Sequence, residues 1–376
     1  MHRPIAPTTD LLAPTRAEID LGALRANLAA IRRLAGDAAV MGIVKADAYG
    51  HGIEHVVPVL REEGVEMFAV ANVPEALRLR ALGVAERILL FAAPLPDVLP
   101  VYAEHDLDVT VSSPEVAEAV VALGRPLRVH VKVDTGMHRI GVRPGEVAGV
   151  MRRLRAAEHV EIAGLWTHFA TADERDASFA ETQRARFDEI VAAVGDPLPP
   201  IHVANSGALV QLPDAVRRRA LVRTGGVLYG VPSTDLVAER IDVRPVMRLV
   251  TRVVHLQTVA AGETVSYGRT WTADAPTRIA TLPVGYGDGL PRQLSNRGEV
   301  GIGGRRVRIA GRVCMDYTML DLGPPDGAAA SVAIGDEAVI FGPGGPTALE
   351  VAAWAGTISY DLPCGLTARV PRVVVE

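Results

Sequence analysis

Lys45 closes the apolar run Val40–Val44 and precedes a turn that carries Tyr49, Gly50, His51 and Gly52. An amine at the C-terminal tip of a buried strand can form a Schiff base with a carbonyl, that of pyridoxal phosphate (PLP) among them, if its surroundings disfavour the ammonium. Taken alone, the same residue also reads as a salt-bridging lysine at a strand end. Further along, Val131–Gly141 carries Lys132, Asp134 and Arg139. His168 ends the stretch Gly164–His168, and Arg223 opens Arg223-Thr224-Gly225-Gly226. Ser266-Tyr267-Gly268 offers a phenol; a free tyrosine titrates near about 10, so it needs hydrogen-bonding or cationic neighbours to act as a base at neutral pH. Each has a plainer reading: a structural strand-end histidine, a turn with a half-buried ring, or Lys132 ion-paired with Asp134.

The elements that must position these residues alternate regularly. Asp20 can cap a helix with Leu21, Leu24, Leu28 and Ile31 on one face, ended by Gly36. Eight apolar strands are then predicted: Val40–Val44, Met67–Ala71, Arg87–Ala92, Leu107–Val111, Leu127–Asp134, Val160–His168, Pro200–Asn205 and Leu221–Tyr229. Helices over Glu54–Glu63, from Pro74 to Gly83, Asp97–Glu104, from Pro114 to Gly124, Pro144–Ala157 and Glu174–Val194 separate most of them. This is the pattern of a (β/α)8 barrel. An open doubly wound sheet is the rival, but no Gly-x-Gly-x-x-Gly follows the first strand, and the reactive residues lie at the ends of many strands. Beyond Pro245 the pattern changes to short β-prone runs, Val246–Val259, Arg278–Pro283, Arg306–Ile309, Thr318–Leu322 and Glu337–Phe341, with glycine-rich turns. The expected division is a disordered extension over 1–14, a barrel over 15–244 and a mostly β domain over 245–376.

Composition narrows the function. A chain of 376 residues with 49% hydrophobic residues can bury one large and one smaller core. The net charge of -5 argues against a nucleic-acid surface. Arg152, Arg153 and Arg155, and Arg217 to Arg219, read as solvated helix faces. Cys314 and Cys364 are too few and too far apart for a disulfide framework or a paired metal motif, which fits a reducing, cytoplasmic setting. The first fourteen residues are neither signal peptide nor anchor, and Ile88–Val101, interrupted by Pro94, Pro96 and Pro100, is too short to span a bilayer. No metal site, nucleic acid or membrane partner is expected.

The string Val44-Lys45-Ala46-Asp47-Ala48-Tyr49-Gly50-His51-Gly52 resembles the PLP-lysine signature of the alanine racemases, and similar segments follow from about Glu18 to Arg372. The resemblance implies a PLP enzyme of the fold-type III class, with Lys45 and Tyr267 as bases on opposite faces of the substrate. It makes Arg139 the partner of the substrate carboxylate and of the cofactor's phenolic oxygen, with Lys132 carbamylated in many members. It sets Arg223 at the pyridine nitrogen, where a residue that keeps its proton leaves the cofactor a weaker electron sink and limits transamination. His168 would bridge Arg223 and Tyr267. Phosphate would be held by Tyr49, Ser206, Gly225, Gly226 and Tyr360. Tyr286 would narrow the entrance, and the backbone of Met315 would meet the substrate carboxylate. His138 departs from the residues usual at its place and is assigned no role.

The expected activity is therefore interconversion of L- and D-alanine, supplying D-alanine for peptidoglycan, in a homodimer whose two sites are shared between protomers. A broader racemase acting on serine, and a non-catalytic PLP carrier, are the alternatives; the second base, Tyr267, argues against the carrier.

Overall fold

A computed structural model of the chain describes residues 13–216 and 220–375. The disordered extension expected at 1–14 falls almost wholly on residues outside that range, as do Arg217 to Arg219. The chain divides into two compact units. One comprises Leu24–Tyr49 and Ile53–Val243; the other comprises Arg244 onwards, Gly50–Gly52 and the described residues up to Ala23.

The first unit is the eight-stranded parallel barrel. Its first strand is broken at Met41 because its halves pair on opposite sides: Ala39–Val40 with Leu221–Val222, and Gly42–Ile43 with Met67–Val70. Arg87–Leu90 continues from the latter, and a bridge between Leu89 and Asp108 links it to Val109–Val111, Leu127–Lys132, Val160–Trp166, Ile201–His202 and back to Leu221–Val222. The ring is thereby closed, and its strands are largely buried and rich in valine, isoleucine and leucine. Local chemistry sets the helix starts: Asn72 accepts from the Glu75 amide, Ser113 from Val116 and Asn205 from Ala208. Gly124 ends Pro114–Leu123 in the left-handed conformation that favours glycine. Leu24, Leu28 and Ile31 of the helix Leu21–Ala35 are buried as their spacing predicts, each contributing about 1.5–3 kcal/mol.

Several expectations are corrected. The eighth strand ends at Val222, because Arg223 and the glycine pair leave the ladder for a loop and the short 3-10 helix Gly226–Tyr229. Two helices, Ser206–Gln211 and Pro213–Val216, occupy a stretch to which the sequence reading assigned no element. The helix expected from Glu174 begins at Ser178. Arg153 pairs with Glu118, and Arg155 donates to the carbonyls of Val194, Gly195 and Pro197, so only part of that arginine cluster is a plain solvated face.

The second unit is built on a nine-stranded sheet. Its order is His255–Val259, Thr277–Leu282, Thr318–Gly323, Arg305–Ile309, Glu299–Ile302, Glu337–Phe341, Met247–Arg252, Arg16–Asp20 and Arg372–Val375. The strand Arg16–Asp20 lies inside the segment expected for the barrel. It is instead antiparallel to Met247–Arg252 and parallel to Arg372–Val375. Its pairing is wholly long-range, so the local pattern that reveals a barrel strand carries no signal of it. Gly50 also belongs to this unit: an added Cβ would lie 1.9 Å from the Pro363 carbonyl, and its own carbonyl accepts from Arg372 Nε.

Candidate active site

Lys45 follows Val44 at the C-terminal end of the first barrel strand. The next four residues, Ala46, Asp47, Ala48 and Tyr49, all have φ between 51° and 55°. A left-handed turn of non-glycine residues costs roughly 1–2 kcal/mol per residue and needs support. Glu75 supplies it by accepting from the Ala46 and Ala71 amides at 2.9 and 2.7 Å. Asp47 accepts from the Ile53 amide at 3.2 Å and meets Arg78 at 3.1 Å. The turn brings the Tyr49 ring to 5.7 Å from the Lys45 ammonium and to 5.1 Å from the Tyr229 ring. The Tyr229 hydroxyl in turn donates to the Ile43 carbonyl at 2.8 Å.

The other strand ends of the barrel unit supply a group of cations. Arg223 is buried; its Nη2 donates to the carbonyls of Thr167 at 2.7 Å and Val203 at 3.2 Å and lies 3.5 Å from His168 Nδ1. Its guanidinium lies 4.7 Å from the centre of the Trp166 ring, and the Lys132 ammonium lies 5.0 Å from that ring. Burial pushes Arg223 down to about 9, which still leaves it charged at neutral pH. Burial, helped by the charges of Arg139 and Arg223, pushes Lys132 down to about 8. Burial and then the charges of Arg223, Arg139, Lys132 and Lys45 hold His168 well below the usual imidazole range, so it is neutral.

Asp134 is turned toward its own loop. It accepts from the Gly136 and His138 amides, and the His138 ring lies 3.0 Å from its Oδ2, so His138 fixes the turn that leads into Arg139. Burial works against the ionised carboxyl, but the His138 and Gly136 amides together with the His138 ring outweigh it and lower its pKa.

The cation group suits an anionic ligand, and three further features suit a phosphorylated one. Gly225 admits close approach: a Cβ there would lie 2.2 Å from the Tyr49 hydroxyl. Buried Ser206 opens the helix Ser206–Gln211. The Thr224 hydroxyl, beside Arg223 and Gly225, is buried without a protein partner among the described residues. These residues fit PLP, whose phosphate and phenolic oxygens carry negative charge.

In the other unit, the residues singled out from sequence lie on loops stitched to one another. Tyr267 sits in the turn between the paired strands Thr264–Val265 and Trp271–Thr272. Ser266, at φ 68°, donates to the Arg312 carbonyl at 2.6 Å. The Tyr286 and Gly287 amides donate to the carbonyls of Cys314 and Met315 at 3.0 and 2.9 Å. That approach requires Gly285, whose added Cβ would lie 2.2 Å from the Cys314 oxygen. Tyr267 is 71% exposed and Met315 51%, and Tyr286 and Tyr317 are also exposed. Tyr360 precedes the helix Asp361–Gly365 in the same unit.

Comparison with known proteins decides the family. Residues 19–233 match the alanine racemase N-terminal domain and residues 246–374 the alanine racemase C-terminal domain. The chain belongs to the alanine racemase family. An alanine racemase from Chlorobaculum tepidum is 44% identical over 373 residues, covering 96% of this chain and 95% of that protein. The biosynthetic alanine racemase from Pseudomonas aeruginosa superposes with a TM-score of 0.89 at 36% identity, covering 97% of this chain and 100% of that one. That from D-cycloserine-producing Streptomyces lavendulae gives 0.87 at 38% identity, covering 99% and 98%. Alanine racemases are PLP-dependent isomerases that join a TIM-type barrel to a β domain, and this chain shares both parts.

Within the alanine racemase framework, the structure gathers Lys45, Tyr49, Lys132, Arg139, His168, Ser206, Arg223, Gly225 and Gly226 in the barrel unit, and Tyr267, Tyr286, Met315 and Tyr360 in the other. Sequence reading missed Glu75, Trp166 and His202. Local sequence gives no signal for His202: it is one histidine on a short apolar strand, and its partners His130 and Arg223 are brought to it by the closed barrel.

Proposed function

We propose that the chain interconverts L- and D-alanine with PLP bound in the barrel unit, Lys45 and Tyr267 being the two bases. The observation that carries this reading is the group of Lys45, Lys132, Arg139 and Arg223 around a neutral His168. When bound, PLP delocalises the electron pair left at Cα; everything else is the protein's task. Lys45 exchanges the Cα proton on the D side and Tyr267 the proton on the L side. Arg139 binds the substrate carboxylate, helped by the Met315 backbone, while Tyr286 narrows the entrance. Tyr49, Ser206, Tyr360 and the amides of Gly225 and Gly226 hold phosphate. Arg223 would hold the pyridine nitrogen as a donor that does not give up its proton, which would limit transamination.

Tyr267 serves the site of a second copy, forming a homodimer with shared sites. Support comes from the exposure of Tyr267, Met315, Tyr286 and Tyr317, large side chains that a single chain leaves to solvent. Carbamylation of Lys132 would replace a buried cation by an anion beside Arg139, and its amine, pushed down to about 8, is the form that reacts with carbon dioxide. D-alanine made in the cytoplasm would feed peptidoglycan. No helix among the described residues is long and apolar enough to cross a membrane.

The test is incubation of purified protein with L-alanine and PLP, followed by assay of D-alanine. A bound chromophore without D-alanine would overturn the reading in favour of a PLP carrier. Comparable turnover of serine would replace strict alanine specificity by a broader one.

A further inference from the structure

Arg223 is the visible end of a polar chain that runs through the otherwise apolar barrel interior. Asp108, His130 and His202 are all fully buried. Arg223 Nη1 lies 3.1 Å from His202 Nδ1. His202 Nε2 lies 2.8 Å from His130 Nδ1, and His130 Nε2 lies 3.0 Å from Asp108 Oδ2. Asp108 also accepts from Arg87 Nη2 at 2.6 Å and Arg87 Nε at 3.0 Å through Oδ2, and from Arg128 Nε at 2.8 Å through Oδ1. Asp108 precedes the fourth barrel strand and Arg223 follows the eighth, so the chain leads from the N-terminal to the C-terminal end of the barrel.

The donor inventory fixes every proton in it. Arginine only donates, so His202 Nδ1 must offer a lone pair and His202 carries its proton on Nε2. That proton faces His130 Nδ1, which must then accept, leaving the His130 proton on Nε2, directed at the Asp108 carboxylate. Arg87 Nη2 is also 3.2 Å from His130 Nε2, but both are donors and Asp108 Oδ2 serves both. A second proton on either ring would oppose N–H to N–H at 2.8 Å or less favourably still oppose His202 to Arg223. Both rings are accordingly held neutral: burial is the main cause at each, for His130 it outweighs the opposing pull of Asp108, and the Arg223 charge acts with it at both.

One glycine makes the contact possible. His130 and His202 reach each other across the intervening strand Val160–Trp166, where Gly164 is the partner of His130 in the ladder. A Cβ on Gly164 would lie 2.2 Å from His130 Nδ1 and 2.8 Å from His202 Nε2. No side chain fits between the rings.

We infer that Asp108, His130 and His202 form a one-way hydrogen-bond relay that positions Arg223 from beneath, the donation running from Arg223 through His202 and His130 to Asp108. The relay occupies one guanidinium N–H with an uncharged acceptor, while the Thr167 and Val203 carbonyls take others, and so fixes the plane in which Arg223 faces the cofactor. This rests on the proposed role of Arg223 at the pyridine nitrogen, but the proton order follows from the protein alone.

The first measurement uses the cofactor-free protein labelled with 15N-histidine, with His202 and His130 assigned through His202→Gln and His130→Gln. Both rings should be neutral with the proton on Nε2 from about pH 6 to about pH 9. An imidazolium or an Nδ1–H tautomer at either overturns the relay, whatever the enzyme's activity. The second uses the PLP-loaded protein and counts racemisation turnovers per cofactor-derived side product. His130→Leu, checked for folding by its melting transition, removes the acceptor from His202 and should lower the ratio by up to about tenfold, the upper end for one hydrogen bond between neutral groups. His130→Gln presents a carbonyl to His202 and an amide N–H to Asp108, preserving the direction of donation, and should stay within about twofold of wild type. Equal ratios for wild type and a folded His130→Leu overturn the positioning role while leaving racemisation intact. Absence of D-alanine from the wild type would overturn the reading of the site, and the tautomers would still judge the relay.

Discussion

Replacing Lys132 by Met should stabilise the cofactor-free chain at neutral pH. Lys132 is 2% exposed and its pKa stands at about 8 against the ordinary 10.5, because burial and the charges of Arg139 and Arg223 oppose its ammonium. At about 1.4 kcal/mol for each pH unit, the folded state carries a penalty of up to about 3 kcal/mol for holding that charge. The sign follows from proton uptake. Between pH about 8 and 10.5 the unfolded chain binds the proton and the folded chain does not, so the wild type gains stability as pH rises through that window. Below pH about 8 the penalty is complete. Methionine keeps nearly the same length without charge, so Lys132→Met should exceed wild type by about 2–3 kcal/mol at pH 6.5 and the two should converge near pH 10.5. Paired denaturant titrations in buffers freed of carbon dioxide read the difference. A destabilised variant, or a difference that does not shrink with pH, would refute the electrostatic account of the cation group. Added bicarbonate should narrow the gap from the wild-type side, because a carbamylated Lys132 would carry the opposite charge beside Arg139.

Two further substitutions address the chemistry. Lys45→Ala should abolish the borohydride-reducible chromophore and racemisation while leaving the melting transition near that of wild type, since a half-buried strand-end amine contributes little packing; a chromophore retained on the chain would contradict the assignment. Arg223→Glu places a group that can give up its proton at the pyridine nitrogen, so side products per racemisation turnover should rise by tenfold or more, roughly the loss of one charged hydrogen bond; an unchanged ratio would remove Arg223 from that position.

Much of the barrel was legible because each strand is a short apolar run bounded by glycine, proline or a capping residue, and because reactive residues fall where such runs end. Lys45 and His168 were placed by that rule, whereas Arg223 was found through the resemblance, its strand having been drawn on to Tyr229 although it ends at Val222. What escaped was set by distant partners. Ala46, Asp47 and Ala48 are ordinary helix and turn residues, and Glu75 and Arg78, about thirty residues on, help hold them left-handed. Arg16–Asp20 is a strand because Met247–Arg252 and Arg372–Val375 flank it. Asp108, His130 and His202 are each unremarkable in sequence, and their alignment across Gly164 depends on the closed ring. Tyr267 was found through the resemblance of its segment, since an exposed tyrosine in a turn announces no chemistry by itself.

The central claim is that Lys45 and Tyr267 act together on one substrate from different copies of the chain. Lys45→Ala and Tyr267→Ala should each be nearly inactive as homodimers. Co-expressed with different tags and isolated as doubly tagged dimers, they would place both intact bases in one of two sites and neither in the other. Such dimers should recover about half the wild-type rate of alanine racemisation; a verified mixed dimer with no recovery would contradict the shared site.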